Sequence, residues 1–221
     1  FRYSDYTIRE YIRNFIMSTL ETNLIQPSTG TALTVGASGD TITVPSGATF
    51  NVAGTLQSGG SAITQGITEA DQWQVTSGTS ISADTDTFIT SGWSRAVPST
   101  FNYIGSGMSQ SSGVFTFPST GIYLVTFTLC LSKSGSTRYF EARIYATTNN
   151  SSYSNIGQST GFINQVTSGT LATVTFSTFV DVTDTSNVKV KFSTIADETV
   201  TVVSNPSYPR TNATFIRLGN T

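Results

Sequence analysis

At 221 residues the chain can hold one sizeable core, or one core with extensions. A net charge of −2, with no Lys or Arg between Arg13 and Arg95, excludes the basic stripe of a nucleic-acid binder, and no apolar run approaches the ~18 residues that span a bilayer. Charged residues make up 11% and His is absent, which removes a Ser-His-Asp triad, a His-based zinc site and the commonest general base.

Residues 5–24 predict the one convincing helix. Ile8, Ile12, Phe15, Ile16 and Leu20 recur at helical spacing on one face. Asp5 or Thr7 can cap its start, Thr7 and Glu10 have capping-box spacing, and Asn23 and Pro27 stop it. Such a helix can lie on the body of its own subunit or act as an amphipathic docking or self-association element. The second reading is preferred, because the chain that follows reads as a spacer.

The organisation expected is therefore an N-terminal helix segment over 1–26, a β-rich spacer over 27–68 and a head over 69–221. Within the spacer, Leu33-Thr34-Val35, Ile42-Thr43-Val44 and Phe50-Asn51-Val52 recur at intervals of nine and eight residues, each followed by a Gly-bearing turn. That spacing fits a small β-solenoid or an intertwined β-prism whose missing core comes from self-association. An extended linker with accidental similarity fits it too. Gln57-Ser58-Gly59-Gly60-Ser61 reads as a flexible breaker.

From Glu69 onward, turn signals every 8 to 12 residues predict a sandwich or barrel. Strands are expected near 71–76, 87–95, 101–104, 113–117, 121–131, 137–147, 171–181, 187–194, 199–204 and 212–218. The Ser-, Asn- and Gly-rich stretch 148–169 is expected to be loop. After Gly121, alternation separates Tyr123, Val125, Phe127 and Leu129 on a core face from Ile122, Leu124, Thr126 and Thr128 on the other. The second set suits a face that meets water or another subunit. The single cysteine, Cys130, reads as a buried packing thiol.

Gly113-Val-Phe115-Thr-Phe-Pro118-Ser-Thr-Gly121-Ile-Tyr123-Leu-Val-Thr-Phe127 resembles the signature of C1q-type heads, members of the tumour necrosis factor-like jelly-roll superfamily. Phe176-Ser-Thr-Phe179-Val-Asp-Val, Val188-Lys-Val-Lys and Thr214-Phe215-Ile216-Arg217-Leu218 resemble that family's last strands. Glu69-Ala-Asp-Gln-Trp73, Ile89-Thr-Ser-Gly-Trp93 and Tyr103-Ile-Gly-Ser-Gly-Met108-Ser-Gln-Ser-Ser-Gly113 are similar to segments of structural proteins from marine tailed phages. The resemblance implies a mainly β fold: a homotrimer whose subunits each have a ten-strand antiparallel jelly roll in two sheets. It also implies a threefold interface on Leu124 and Thr126, with Ile216 and Leu218 as equivalents on the last strand. Thr126 departs from the aromatic often found there.

Other constellations carry less. Asp84 with Asp86, and Asp197 with Glu198, supply too few oxygens for calcium and read as turn residues. Asn149, Asn150 and Asn212 start glycosylation-like triplets that arise by chance in a chain with 70 Ser and Thr. Trp73 and Trp93 are expected in the core rather than as ligand platforms. Lys133 to Arg138 reads as a solvated basic hairpin. No catalytic site, metal or cofactor is expected.

The function expected is that of a non-enzymatic virion structural protein, a tail or head fibre or a capsid or tail decoration. The helix and spacer would meet other virion proteins, and the head would engage a host surface glycan or protein or stabilise the particle. A secreted C1q-like or lectin-like module is the alternative. A glycan-degrading spike would need paired acids along a longer β-helix.

Overall fold

In the computed structural model, which describes residues 25–58, 61–62, 66–96, 102–166 and 168–221, the two side-chain sets of the central strand separate as the alternation requires. Tyr123, Val125, Phe127 and Leu129 are buried, while Ile122, Leu124, Thr126 and Thr128 are half-buried on the opposite face. The chain divides into two units, residues 1–56 and 57–221. The expected helix over 5–24 lies outside the described residues.

Residues 25–56 contain no strand. Two-residue strands β1 (Gln57–Ser58) and β2 (Ser61–Ala62) pair as a hairpin. The β-rich character expected of the spacer is thus confined, within one chain, to this hairpin, since three-residue apolar triplets cannot bury themselves alone.

The remaining strands are β3 (Ala70–Val75), β4 (Ser80–Ile81), β5 (Thr87–Phe88), β6 (Trp93–Arg95), β7 (Ser109–Ser111), β8 (Val114–Thr116) and β9 (Gly121–Lys133). They continue with β10 (Thr137–Thr147), β11 (Ser154–Ile163), β12 (Thr170–Val182), β13 (Lys189–Ala196), β14 (Val200–Val202) and β15 (Asn212–Gly219). All pairings are antiparallel, as expected of a chain so rich in Val, Thr and aromatics between short turns.

In one sheet, β12 pairs along the whole of β9, from Thr170 opposite Lys133 to Val182 opposite Gly121. On the other side of β9 lie β15 and β14; β3 and then β6 extend from β15, and β4 from β14. The second sheet runs β11-β10-β13-β8-β7, with β5 also on β13. Of the thirteen strands β3 to β15, six are only two or three residues long, so the strand count exceeds the ten expected without changing the jelly-roll plan.

Aromatic rings join the two sheets. Phe115 and Phe192 of the second sheet stack at 5.4 Å; Phe192 meets Phe127 at 4.7 Å and Phe115 meets Phe215 at 5.2 Å, both partners belonging to the first. Burying each ring contributes about 1.5–3 kcal/mol, and each pair a further ~0.5–1.5 kcal/mol. Trp93 is buried and donates its indole N–H to the Ile89 carbonyl, 2.7 Å away, so it belongs to the core as expected. Cys130 is a buried free thiol. Gly113 closes the β7–β8 hairpin with φ +76° after Ser112 at φ +51°. A Cβ on Gly113 would stand 2.3 Å from the Ile89 oxygen, so the first residue of the signature must be glycine.

Two expectations are corrected. The stretch 148–169 is not all loop: β11 forms an edge strand within it. Its inward positions, Gly157, Ser159 and Gly161, are small because the sandwich is pinched there. A Cβ on Gly161 would meet Phe140 at 2.6 Å and Val174 at 2.8 Å. The expected strand 87–95 breaks in two at Gly92 (φ +78°), since Thr87–Phe88 pairs with β13 in one sheet and Trp93–Arg95 with β3 in the other.

Candidate subunit interface

The outward face of β12, β9, β15 and β3 is ordered in rows by its register. Phe179 lies opposite Leu124, Leu124 opposite Ile216, and Ile216 opposite Ala70. Ala70 in turn bridges Ile104 through reciprocal backbone hydrogen bonds of 3.2 and 2.8 Å. The result is one apolar row across five chain segments. Phe179 is 66% exposed and Ile104 46%, a large apolar cost if the row stays in water.

The next two rows are polar, and their hydroxyls are already paired, although Gln74 Oε1 at the end of the second row has no hydrogen-bond partner among the described residues. Thr126 and Ser177 share a hydroxyl hydrogen bond of 2.8 Å, as do Thr128 and Thr175 at 3.0 Å. Gln72 donates its amide to the Thr214 hydroxyl at 3.0 Å. Groups that have found partners on their own face can be covered by another surface at little desolvation cost. Asp181 is the single charged side chain among the outward positions of these four strands.

A buried carboxylate fixes one end of the apolar row. Asp71 is 1% exposed. It accepts hydrogen bonds from Trp73 Nε1 (2.9 Å), Arg95 Nε and Nη2 (3.0 and 2.9 Å) and the Met108 amide (2.8 Å). Arg95 also donates to the Met108 carbonyl at 2.7 Å, and its guanidinium lies 5.0 Å from the Trp73 ring and 4.3 Å from Tyr103. Its bonding to Asp71 raises the Arg95 pKa further. Glu69 receives the Ser106 and Gly107 amides. Together these groups pin residues 103–108 against β3 and hold Ile104 in place.

The structure places Leu124, Thr126 and Ile216 side by side on this face. Leu218 is 55% exposed and falls within the register shift between Arg217 and Gly219, where it has no partner on β9. Phe179 and Ile104 complete the row without having been singled out in the sequence. For Phe179 a signal exists, because Phe176 and Phe179 are an odd number apart and must face opposite ways. Phe162 is 68% exposed on the outer face of β11 in the second sheet, and Leu171, 47% exposed, shares the outward face of β12 with Phe179.

The acidic pairs considered for calcium are engaged elsewhere. Asp197 accepts from Arg138 Nε at 2.7 Å, and Asp86 from Arg143 and Tyr145. Among the described residues no cluster of His, Cys, Asp or Glu has metal-site geometry, and no helix is long and apolar enough to cross a membrane.

This strand order, two antiparallel sheets with the final strand β15 between β9 and β3, the first strand of the sandwich, is that of a tumour necrosis factor-like jelly roll. Solved structures bear this out. Eiger TNF from S. frugiperda superposes with a TM-score of 0.52 at 12% identity, covering 69% of this chain and 93% of that one. Murine APRIL at pH 5.0 gives 0.50 at 11% identity, over 68% of this chain and 98% of its own. PRD1 vertex protein P5 covers 70% and 99% at 20% identity, but its TM-score of 0.41 is too low to bear on function. At these identities the likeness shows the fold alone. The sequence matches no protein-family model and no curated protein.

Proposed function

We propose that the chain is a non-enzymatic virion structural protein whose head assembles as a homotrimer on the virion surface, to adhere to a host surface or stabilise the particle. The observation that carries the trimer is the uncharged row Phe179–Leu124–Ile216–Ala70–Ile104. A closed ring of three needs two different surfaces on each subunit. The row supplies one, and the outer face of β11, where Phe162 is 68% exposed, supplies the other. The virion role is suggested by the resemblance of residues 69–73, 89–93 and 103–113 to segments of marine tailed-phage structural proteins.

Two measurements test the reading. Light scattering of the full chain is expected to give three times the chain mass; a monomer across the micromolar range would overturn the trimer. An antiserum against the protein is expected to follow particles through a density gradient of the material that produces it. Recovery solely as free protein would overturn the virion role and favour a secreted module.

A further inference from the structure

Residues 33–35, 42–44 and 50–52 are three apolar–polar–apolar triplets, and none of the described residues of the chain covers them. Leu33, Val35, Ile42, Val44, Phe50 and Val52 are between 37% and 69% exposed. Alternation places the two apolar members of each triplet on one face and Thr34, Thr43 or Asn51 on the other. The connections are already shaped as turns. Asp40 Oδ2 accepts the Ala37 amide at 2.7 Å while its own amide donates to the Ala37 carbonyl, and the Ala48 amide reaches the Pro45 carbonyl at 3.0 Å. Gly36, Gly39 and Gly47 have φ of +81°, +93° and +85°, which suits them to reverse the chain between triplets.

We infer that this segment is an assembly module that completes its core only between copies, with each triplet pairing with the same triplet of two other chains. The inference rests on the homotrimer proposed above. Three observations select copies of this chain as the occupant. From Pro27 to Thr68 the single charged side chain is Asp40, whose carboxylate is engaged in its own turn, so there is no electrostatic handle for a foreign partner. The three triplets share one pattern, so identical segments in register present like surfaces at every level. The segment is also joined to the head through the short Gly-rich stretch 57–61, so a trimeric head tethers three copies at one end at an effective concentration of about millimolar. Each chain then contributes six apolar side chains to a shared core that no chain can build alone.

Hydrogen exchange on the full-length protein tests this. Slow exchange is expected at the amides of all three triplets, with fast exchange in the intervening turns. Ile42→Asp combined with Val44→Asp is expected to abolish that protection in all three triplets, leaving the head strands protected and the mass trimeric. A trimer whose triplets exchange as fast as unstructured chain would overturn the inference while sparing the trimer. So would protection that survives both charges. Protected triplets in a monomer would mean that they pair within one chain, and would overturn both this inference and the trimer. An unprotected monomer would do the same.

Discussion

Leu124 of β9 stands directly opposite Phe179 of β12, and both side chains leave the sandwich on the same side. The pairing matters because Phe179 is 66% exposed, while its neighbours Ser177 and Thr175 spend their hydroxyls on β9. One row of the face is left without apolar contact, and the hydroxyls of the next two rows are paired and ready to be covered. A face meant for water would show the reverse, with charges in place of Leu124 and Phe179.

The interface assignment is tested by Leu124→Asp with Ile216→Asp. An unpaired charge in a covered contact costs on the order of 3–5 kcal/mol, roughly two to four orders of magnitude in association. Sedimentation of the full chain is expected to show monomers whose circular dichroism is unchanged. A trimer that survives both substitutions would place the assembly elsewhere.

Much of this arrangement was legible in the sequence because it depends on period-two alternation alone. The parity of Leu124 and Thr126, the long strand from Gly121, and the strand 137–147 follow directly from which residues alternate. Other features depend on partners that the sequence does not order. Ser154–Ile163 has poor strand-forming composition, and becomes a strand because Phe140, Val174 and Phe176 leave room only for Gly and Ser opposite them. Ile104 joins the interface row through Glu69, Asp71 and Arg95, whose mutual geometry no spacing rule announces.

The pinch at β11 predicts a sharp asymmetry between glycines. Gly161→Ala forces a methyl to within 2.6 Å of Phe140 and 2.8 Å of Val174, neither of which has space to retreat. The expected loss is about 1–3 kcal/mol, read from the urea midpoint. Gly54→Ala, with open space around it, is expected to leave the midpoint unchanged. Equal behaviour of the two would mean that the sheets are not held together at that edge.

Asp71→Asn tests the anchor of residues 103–108. The amide keeps the size of the side chain but removes the charge that holds Arg95, and one of its two polar atoms becomes a donor facing other donors. Breaking a buried pair costs about 3–5 kcal/mol. The lower end is expected here, because the Arg95 side chain is 33% exposed and can recover some hydration. Hydrogen exchange at Ile104 and Met108 is expected to accelerate while β9 and β12 stay protected. Unchanged protection at those two amides would show that the loop holds itself.

Acid dependence should trace to Asp86. Burial alone would push its carboxyl up, but hydrogen bonds from the Tyr145 phenol and the Arg143 guanidinium, with the Arg143 charge, favour the ionised form and help hold it below its ordinary 3.8. A carboxyl whose folded value is depressed binds its proton more readily in the unfolded chain. Its stabilising contribution is therefore complete above the ordinary value and is lost as pH falls through the lower, folded one. Asp86→Asn is expected to lower stability at pH 7, with the gap to the unsubstituted protein closing as the pH falls below about 4. Urea midpoints measured from pH 7 to pH 2.5 read this directly. A gap that stays constant over that range would show that Asp86 contributes through shape rather than charge, and that the contacts from Tyr145 and Arg143 at 2.7 and 2.8 Å do not favour its ionised form.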